Sequence, residues 1–288
     1  MGKITWESLQ KHSDHYLSDG CWELLNSQYN SFQDVSGNYY GNYLISHKKC
    51  PYYIGETNDI NKRLTQQFKL TTSTFYKNYK KYSDQNNIDK LVYIDDFKVQ
   101  HIETQIGRKE IEEFGIVNLP TIINSFQLGK RSLQGIIRFK GIWDELQCRK
   151  SELLLKGEKE VFKQSCSNWY DTIVRKVAGL YIVKGKSGDI IYIGESSDIN
   201  ERYATHSNRT YFSALRRHIA TEILSFELKE KNGKKKYLLD NEEKAINIFL
   251  KTCSVMFYPV SFGRYELEEF LIKRHKPLLN RKGNRKDE

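Results

Sequence analysis

The sequence predicts an α+β protein built as two tandem units, each a small, mainly antiparallel sheet flanked by helices, the pair forming a pseudo-two-fold dimer within one chain. Three observations lead there. The chain has 288 residues, about two domains at roughly 150 residues each. A set of short motifs occurs twice in the same order. Each set runs strand, strand, helix, strand, helix, an order that suits a mixed unit rather than a doubly wound parallel sheet.

The repeated motifs carry the duplication. Gly41-Asn42-Tyr43 and Tyr53-Ile54-Gly55-Glu56 return as Gly179-Leu180-Tyr181 and Tyr192-Ile193-Gly194-Glu195. Asp59-Ile60-Asn61-Lys62-Arg63 returns as Asp198-Ile199-Asn200-Glu201-Arg202, and Gly107-Arg108 through Phe114 as Gly263-Arg264 through Phe270. Upstream, Trp6-Glu7-Ser8-Leu9-Gln10 answers Trp143-Asp144-Glu145-Leu146-Gln147. From Trp6 to Glu112 the offsets between partners rise monotonically: 137, 138, 139, 139 and 156 residues. The one large jump coincides with extra sequence around Lys229 to Asp240, where Asn232-Gly233 between Phe226-Glu227-Leu228 and Tyr237-Leu238-Leu239 signals a two-residue hairpin. The expected organisation is a first domain over 1–125 with a leading helical segment, a helical connector over 126–177, and a second domain over 178–288 ending in a basic tail.

Each element has a local reason. The runs 179–183 and 190–194 are β-rich around Lys186-Ser187-Gly188-Asp189, the pattern of an antiparallel hairpin. Ser197 or Asp198 can cap a helix that carries Arg202 and His206 four apart on one face. A strand near Ser254–Tyr258 precedes a helix from about Tyr265 to His275, stopped before Pro277. The first half repeats this with strands 41–45 and 52–55, a helix over 59–68, a strand over 98–103 and a helix from about 108 to 117. Segments 4–30 and 141–177 read as helical, with Trp6 and Trp143 packing on the unit beside them.

Composition narrows the function classes. Lysine and arginine number 46 against 36 acidic residues, a net charge of +10. That surplus favours a polyanionic partner, usually nucleic acid, although a merely charged surface explains it as well. With 39% hydrophobic residues and a mean hydropathy of −0.66, the chain reads as a soluble globular protein. No run approaches 18 apolar residues, so no membrane partner is expected, and no secretory signal is visible. Five cysteines without CxxC spacing read as reduced thiols of a cytoplasmic protein, and they make zinc improbable.

In their order and spacing the motifs resemble the GIY-YIG endonucleases. That pattern has a GIY strand, YIG about ten residues on, an arginine on the next helix and a histidine or tyrosine one turn later. A glutamate follows on a later helix, with an asparagine about twelve residues beyond it. The second half matches throughout, with Tyr181, Tyr192, Arg202, His206, Glu268 and Asn280. The first half keeps Tyr43, Tyr53, Arg63, Glu112 and Asn124. It departs at Asn42, at Gln67 where the second half has His206, and at Pro120, one residue early. Gln67 cannot carry a proton, which puts in doubt any chemistry that needs a histidine there.

The resemblance implies a DNA endonuclease. Phosphodiester hydrolysis needs an activated water, charge neutralisation at the phosphate and stabilisation of the leaving oxygen. One carboxylate per site, Glu268 or Glu112, suits a single Mg²⁺ held mostly by water and phosphate oxygens. Arg202 offers a permanently charged fork to a phosphate. By resemblance Tyr181 is the general base, with Tyr192 and His206 orienting or shuttling protons and Asn280 bracing the site. Nearby cations, Arg202 and the metal, are expected to favour the Tyr181 phenolate, whose ordinary pKa is near 10. Taken singly, each residue has a plain reading: strand-packing tyrosines, a solvated Arg–His helix face, a surface glutamate. Their repetition in both halves overturns these together.

Lys234, Lys235 and Lys236, with Arg281 and Lys282, are candidate phosphate contacts to double-stranded DNA. Because a duplex needs one site per strand, a fused pair predicts a monomer with two active sites, as in a site-specific restriction enzyme. Two alternatives stand beside it: a structure-specific or nicking repair or homing nuclease using only the second site, and a DNA-binding protein on a decayed scaffold. The PD motif of the common restriction fold is absent. His47-Lys48-Lys49 lacks the aspartate that a phospholipase-D-type site requires.

Overall fold

The computed structural model describes residues 4–69, 73–88, 92–124, 131, 133–139 and 141–280. It shows a mixture of helices and antiparallel sheets in two compact units, Met1–Leu153 and Leu154–Glu288.

The first unit contains α1 (Trp6–Lys11), α2 (Ser13–Asn26), β1 (Gly41–His47), β2 (Cys50–Thr57), α3 (Ile60–Gln67), α4 (Thr74–Gln85), β3 (Lys98–Glu103), α5 (Arg108–Asn118) and α6 (Ile142–Cys148). Its sheet has the order β2-β1-β3, all antiparallel, with Tyr43 opposite both Gly55 and His101. As the middle strand β1 is buried on both faces, which its unbroken apolar run Leu44-Ile45 permits. One face packs on α3 and α4 through Ile60, Leu64, Phe75, Tyr79 and Phe97. There Phe75 and Tyr79 meet Phe97 edge-on, with ring centroids 5.0 and 5.3 Å apart, a favoured aromatic geometry. The α5 helix lies close to β2, where a Cβ on Gly115 would collide with Ile54.

The second unit contains most of α7 (Lys150–Val161), then β4 (Ser167–Asn168), β5 (Gly179–Lys184), β6 (Ile190–Ser196), α8 (Ile199–Asn208), α9 (Ala214–His218), β7 (Lys229–Lys231), β8 (Lys234–Tyr237), α10 (Asp240–Lys251), β9 (Ser254–Pro259) and α11 (Arg264–His275). Its sheet order is β4-β9-β5-β6, so β6-β5-β9 has the layout of β2-β1-β3 and β4 is an added edge. Tyr181 stands opposite Gly194 and Phe257. The core gathers Trp169, Val183, Ile199, Leu215, Ile246 and Leu250. Gly107 and Gly263 both precede their helix with positive φ, 94° and 76°, a conformation glycine adopts at least cost.

Several expectations are corrected. The two compact units divide within α7, and the stretch 126–177, expected as a helical connector, holds α6 and α7 among its described residues. Part of it lies outside the described residues, residues 133–139 form no regular element, and α6 belongs to the first unit. The buried Asp19 carboxylate fixes α6 by accepting from the N–H groups of Phe139 (2.7 Å) and Trp143 (2.9 Å). The Trp143 ring lies over Gly20, where a Cβ would come within 2.7 Å of it. Residues 162–177 are not helical, and Ser167-Asn168 instead pairs with β9. The hairpin at Asn232-Gly233 forms, but its strands are the lysine-rich runs β7 and β8, while Phe226 and Leu228 turn into the core.

Candidate active site

Glycines bring the two tyrosines of each unit together. A Cβ on Gly194 would lie 2.9 Å from Cε1 of Tyr181 and closer still to its Cζ and hydroxyl, and Gly55 stands in the same relation to Tyr43. The ring of the middle strand therefore lies flat across the neighbouring glycine. On Gly179 and Gly41 a Cβ would strike the carbonyl oxygens of Tyr258 and Ile102 on the third strand. The first glycine of each unit thus permits close strand approach, and the second makes room for a tyrosine ring.

In the second unit Tyr181 and Tyr192 stack with centroids 6.1 Å apart. The Tyr181 hydroxyl is 2.8 Å from His206 Nε2, and Arg202 Nε donates to it at 3.4 Å. His206 Nδ1 lies 2.6 Å from Ser213 Oγ, which also caps α9 by accepting from Arg216 N–H at 3.0 Å. Glu268 Oε1 accepts from the Glu195 N–H at 3.1 Å, tying α11 to the end of β6. Asn280 clamps β6 with its whole amide, accepting from Ile193 N–H and donating to Ile193 C=O, each at 2.8 Å. All six predicted residues of this unit thus converge on the β5–β6 pair.

Burial sets the protonation states. Tyr181 sits well above the ordinary phenol range, because desolvation, then the neighbouring Tyr192, outweigh the pull of Arg202. With Arg202 as the cation acting on it, burial outweighs the pull toward the phenolate and Tyr181 stays a neutral phenol. Tyr192 is raised by burial and by the Glu268 carboxylate. His206 is held well below its usual value by burial, then by Arg202, Arg216 and Arg217. A neutral imidazole therefore faces a neutral phenol, and Nε2 can take the phenol's proton while Nδ1–H is held by Ser213.

The first unit places Tyr43, Tyr53, Arg63 and Asn124 in the same way. Arg63 Nε donates to the Tyr43 hydroxyl at 3.2 Å, and Asn124 clamps Ile54 N–H and C=O at 2.8 Å each. Gln67 takes the place of His206 and donates from Nε2 to the Tyr43 hydroxyl at 2.8 Å. Its orientation is fixed, because Oε1 accepts from Phe75 N–H at 3.0 Å and from Ser73 Oγ at 3.3 Å. Gln67 can only donate to Tyr43, so the phenol has no proton acceptor at that position. A cavity of about 320 Å³ opens beside Arg63, Gln67, Lys69 and Ser73.

An outer layer escapes sequence comparison. Ser73 and Ser213 correspond at an offset of 140 residues, and each caps the next helix while holding the residue beside the tyrosine. On the same helices Asn78 Nδ2 donates to Ile123 C=O at 3.4 Å, and His218 Nδ1 lies 2.5 Å from Leu279 C=O. Each side chain thereby fixes the residue just before the clamping asparagine. The serine is the one identity shared between 73–78 and 213–218, too little to reveal the match. Placing asparagine at 218 preserves the donor, so His218→Asn is expected to cleave DNA within about threefold of wild type. His218→Leu removes the donor and is expected to lower the rate about tenfold or more; single-turnover rates on plasmid distinguish the two.

The basic candidates are only partly placed. Lys234, Lys235 and Lys236 are on β8, and Lys235 pairs with Glu227 at 2.8 Å. Arg281 and Lys282 lie outside the described residues.

Among the described residues no three metal-ligating side chains converge. Glu195 is engaged by Arg264 at 2.6 Å, and Glu268, which accepts from the Glu195 N–H, is the carboxylate expected from the sequence to hold a cation in the second unit. In the first unit desolvation, with Glu56 and Glu113 nearby, pushes the Glu112 carboxyl up to about 8. An under-compensated carboxylate beside others fits a divalent cation that keeps most of its own water.

Comparison with known protein families matches residues 162–288 to the GIY-YIG catalytic domain. No curated protein and no solved structure matches the chain. The second unit therefore carries a GIY-YIG catalytic domain, a nuclease domain whose substrate is DNA, and no described helix is long and apolar enough to cross a membrane.

Proposed function

We propose that the chain is a Mg²⁺-dependent endonuclease for double-stranded DNA, of the site-specific restriction type. It acts as a monomer with two hydrolytic sites, the first unit being a second, diverged copy of the catalytic domain. The observation that carries this is the recurrence, in both units, of a tyrosine across a glycine, an arginine on its hydroxyl and an asparagine clamping the neighbouring strand.

At the second site Arg202 holds the phosphate. As the water oxygen bonds to phosphorus, its proton passes to the Tyr181 oxygen while the phenol proton passes to His206 Nε2; the P–O bond to the leaving oxygen breaks and that oxygen takes a proton from solvent water. Glu268 would hold a divalent cation, which would supply charge neutralisation at the phosphate and the leaving oxygen. Tyr192 and Asn280 keep β6 and the phenol in register. Lys234 and Lys236 contact the DNA backbone, as do Arg281 and Lys282.

The test is digestion of unmethylated phage and supercoiled plasmid DNA with Mg²⁺, wild type beside Glu112→Ala and Glu268→Ala. Discrete fragments from wild type and nicked circles from each variant are expected. Loss of all cleavage in Glu268→Ala, with none in Glu112→Ala, would instead favour a nicking enzyme with a structural first unit. Tight binding without cleavage by wild type would overturn the reading.

A further inference from the structure

We infer that the second unit holds a pocket for a single unstacked nucleobase of the substrate strand, beside the cleavage site. This rests on the nuclease reading above. The pocket is a cavity of about 540 Å³ between the outer face of α8, the 3₁₀ turn Thr210–Phe212 and the β7–β8 hairpin. Its volume lies within the roughly 300–1,000 Å³ of small-molecule sites. The hairpin wall belongs to the second unit alone among the described residues, since no strand pair intervenes between α4 and β3.

Its chemistry suits a planar ligand with polar edges. Phe212 lines the pocket and is 73% exposed, which leaves its ring open to stacking. Tyr211 supports it edge-on, with centroids 4.8 Å apart. On the hairpin side Lys231 Nζ sits 4.9 Å from the Tyr237 ring, so aromatic faces and a cation line the same opening. Aromatic platforms with flanking cations hold unstacked bases. Lys234 and Lys236 extend the positive charge along the hairpin.

The polar groups point to a preference among bases. Glu243 is engaged by Arg216 at 2.6 Å and by Thr210. The exposed Glu201 carboxylate and the Asn208 amide of α8 also line the pocket. A carboxylate accepts from the exocyclic amino group of cytosine, which thymine lacks. Glu201 adjoins Arg202 on the same helix, α8, so the pocket and the candidate active site share one element.

The test measures binding without divalent cations. The probes are a fluorescein-labelled 20-base-pair duplex with one unpaired cytosine, the same duplex with an unpaired thymine, and the fully paired duplex. Wild type is expected to bind the cytosine bulge at least fivefold tighter than paired DNA, with thymine between them. Phe212→Ala is expected to lower bulge affinity about tenfold and abolish the preference, and Glu201→Gln to remove the cytosine–thymine difference. Ile173→Ala, a control at a 96% exposed position, is expected to change nothing. Equal binding of bulged and paired DNA by wild type, or an unchanged ratio in Phe212→Ala, overturns the inference. So does a Phe212-dependent site for free dCMP with no effect on DNA, which would make the ligand a free nucleotide. A Phe212-dependent bulge preference in a chain that cuts nothing with Mg²⁺ would support the pocket while overturning the nuclease reading.

Discussion

Exchanging the residues beside the two phenols is expected to reverse the rates of the two strand cuts. His206→Gln converts the second site to the first site's arrangement: a side chain that donates to the tyrosine and cannot accept from it. Proton acceptors of this kind contribute roughly 10²–10⁴-fold, so the strand cut by the second unit should slow by at least 10². The complementary Gln67→His change supplies an acceptor 2.8 Å from the Tyr43 hydroxyl and should accelerate the other strand. Ser73 Oγ, now 3.3 Å from Gln67 Oε1, stands ready to hold the imidazole as Ser213 holds His206. The measurement is the time course from supercoiled through nicked to linear plasmid. Wild type should accumulate nicked circles because its first site lacks the acceptor, and Gln67→His should shorten that lag. Equal strand rates in wild type and in His206→Gln would exclude His206 from proton transfer.

The same histidine has a thermodynamic signature. Its folded-state pKa lies well below the ordinary 6.5, so between the two values the unfolded chain binds a proton that the folded chain does not. Stability from the neutral imidazole is fully present above about pH 6.5 and is lost as the pH falls toward the folded value. Acidification from pH 7 to pH 5 should therefore lower the melting temperature of wild type more than that of His206→Gln. Parallel slopes for the two would show that His206 is not held neutral in the fold.

Legibility in the sequence followed the physics of each position. The strands and helices bearing Tyr181, Arg202 and Glu268 could be read because short β-rich runs, Asp caps and helical spacing are local signals, and because duplication repeated them. The layer behind them could not. What Ser213 and His218 must preserve is a hydrogen bond to a fixed partner, and Asn78 makes it as well as His218 does; geometry persists there while residue identity drifts. α4 was hidden for a related reason: its buried stripe is Phe75, Tyr79 and Ser83, aromatic and polar residues among lysines. The rise of the Tyr181 phenol on folding was not legible, because sequence places charges near one another without showing how much water each has lost. Desolvation ranks first among the influences on that phenol.

Alanine at position 194 is expected to cost more activity than any other addition of a single methyl group to the second unit. The added Cβ would overlap the Tyr181 ring at Cζ and the hydroxyl, the reacting end of the side chain. Backbone retreat is restricted, because β6 is paired along its length with β5 and is clamped at Ile193 by Asn280. The ring must move instead, and its hydroxyl leaves His206 Nε2 and Arg202 together. A displacement of about 1 Å costs about 10²-fold in rate, and overpacking costs about 1–3 kcal/mol of stability. Gly194→Ala should therefore fold, melt a few degrees lower and nick plasmid without linearising it, the remaining cut coming from the first unit. Gly55→Ala should leave the opposite strand intact by the same displacement of Tyr43, and the two changes together should abolish cleavage while duplex binding in the absence of metal persists. Full linearisation by Gly194→Ala at the wild-type rate would mean that the position of the Tyr181 hydroxyl does not limit the reaction, and would remove it as the group that takes the proton from water.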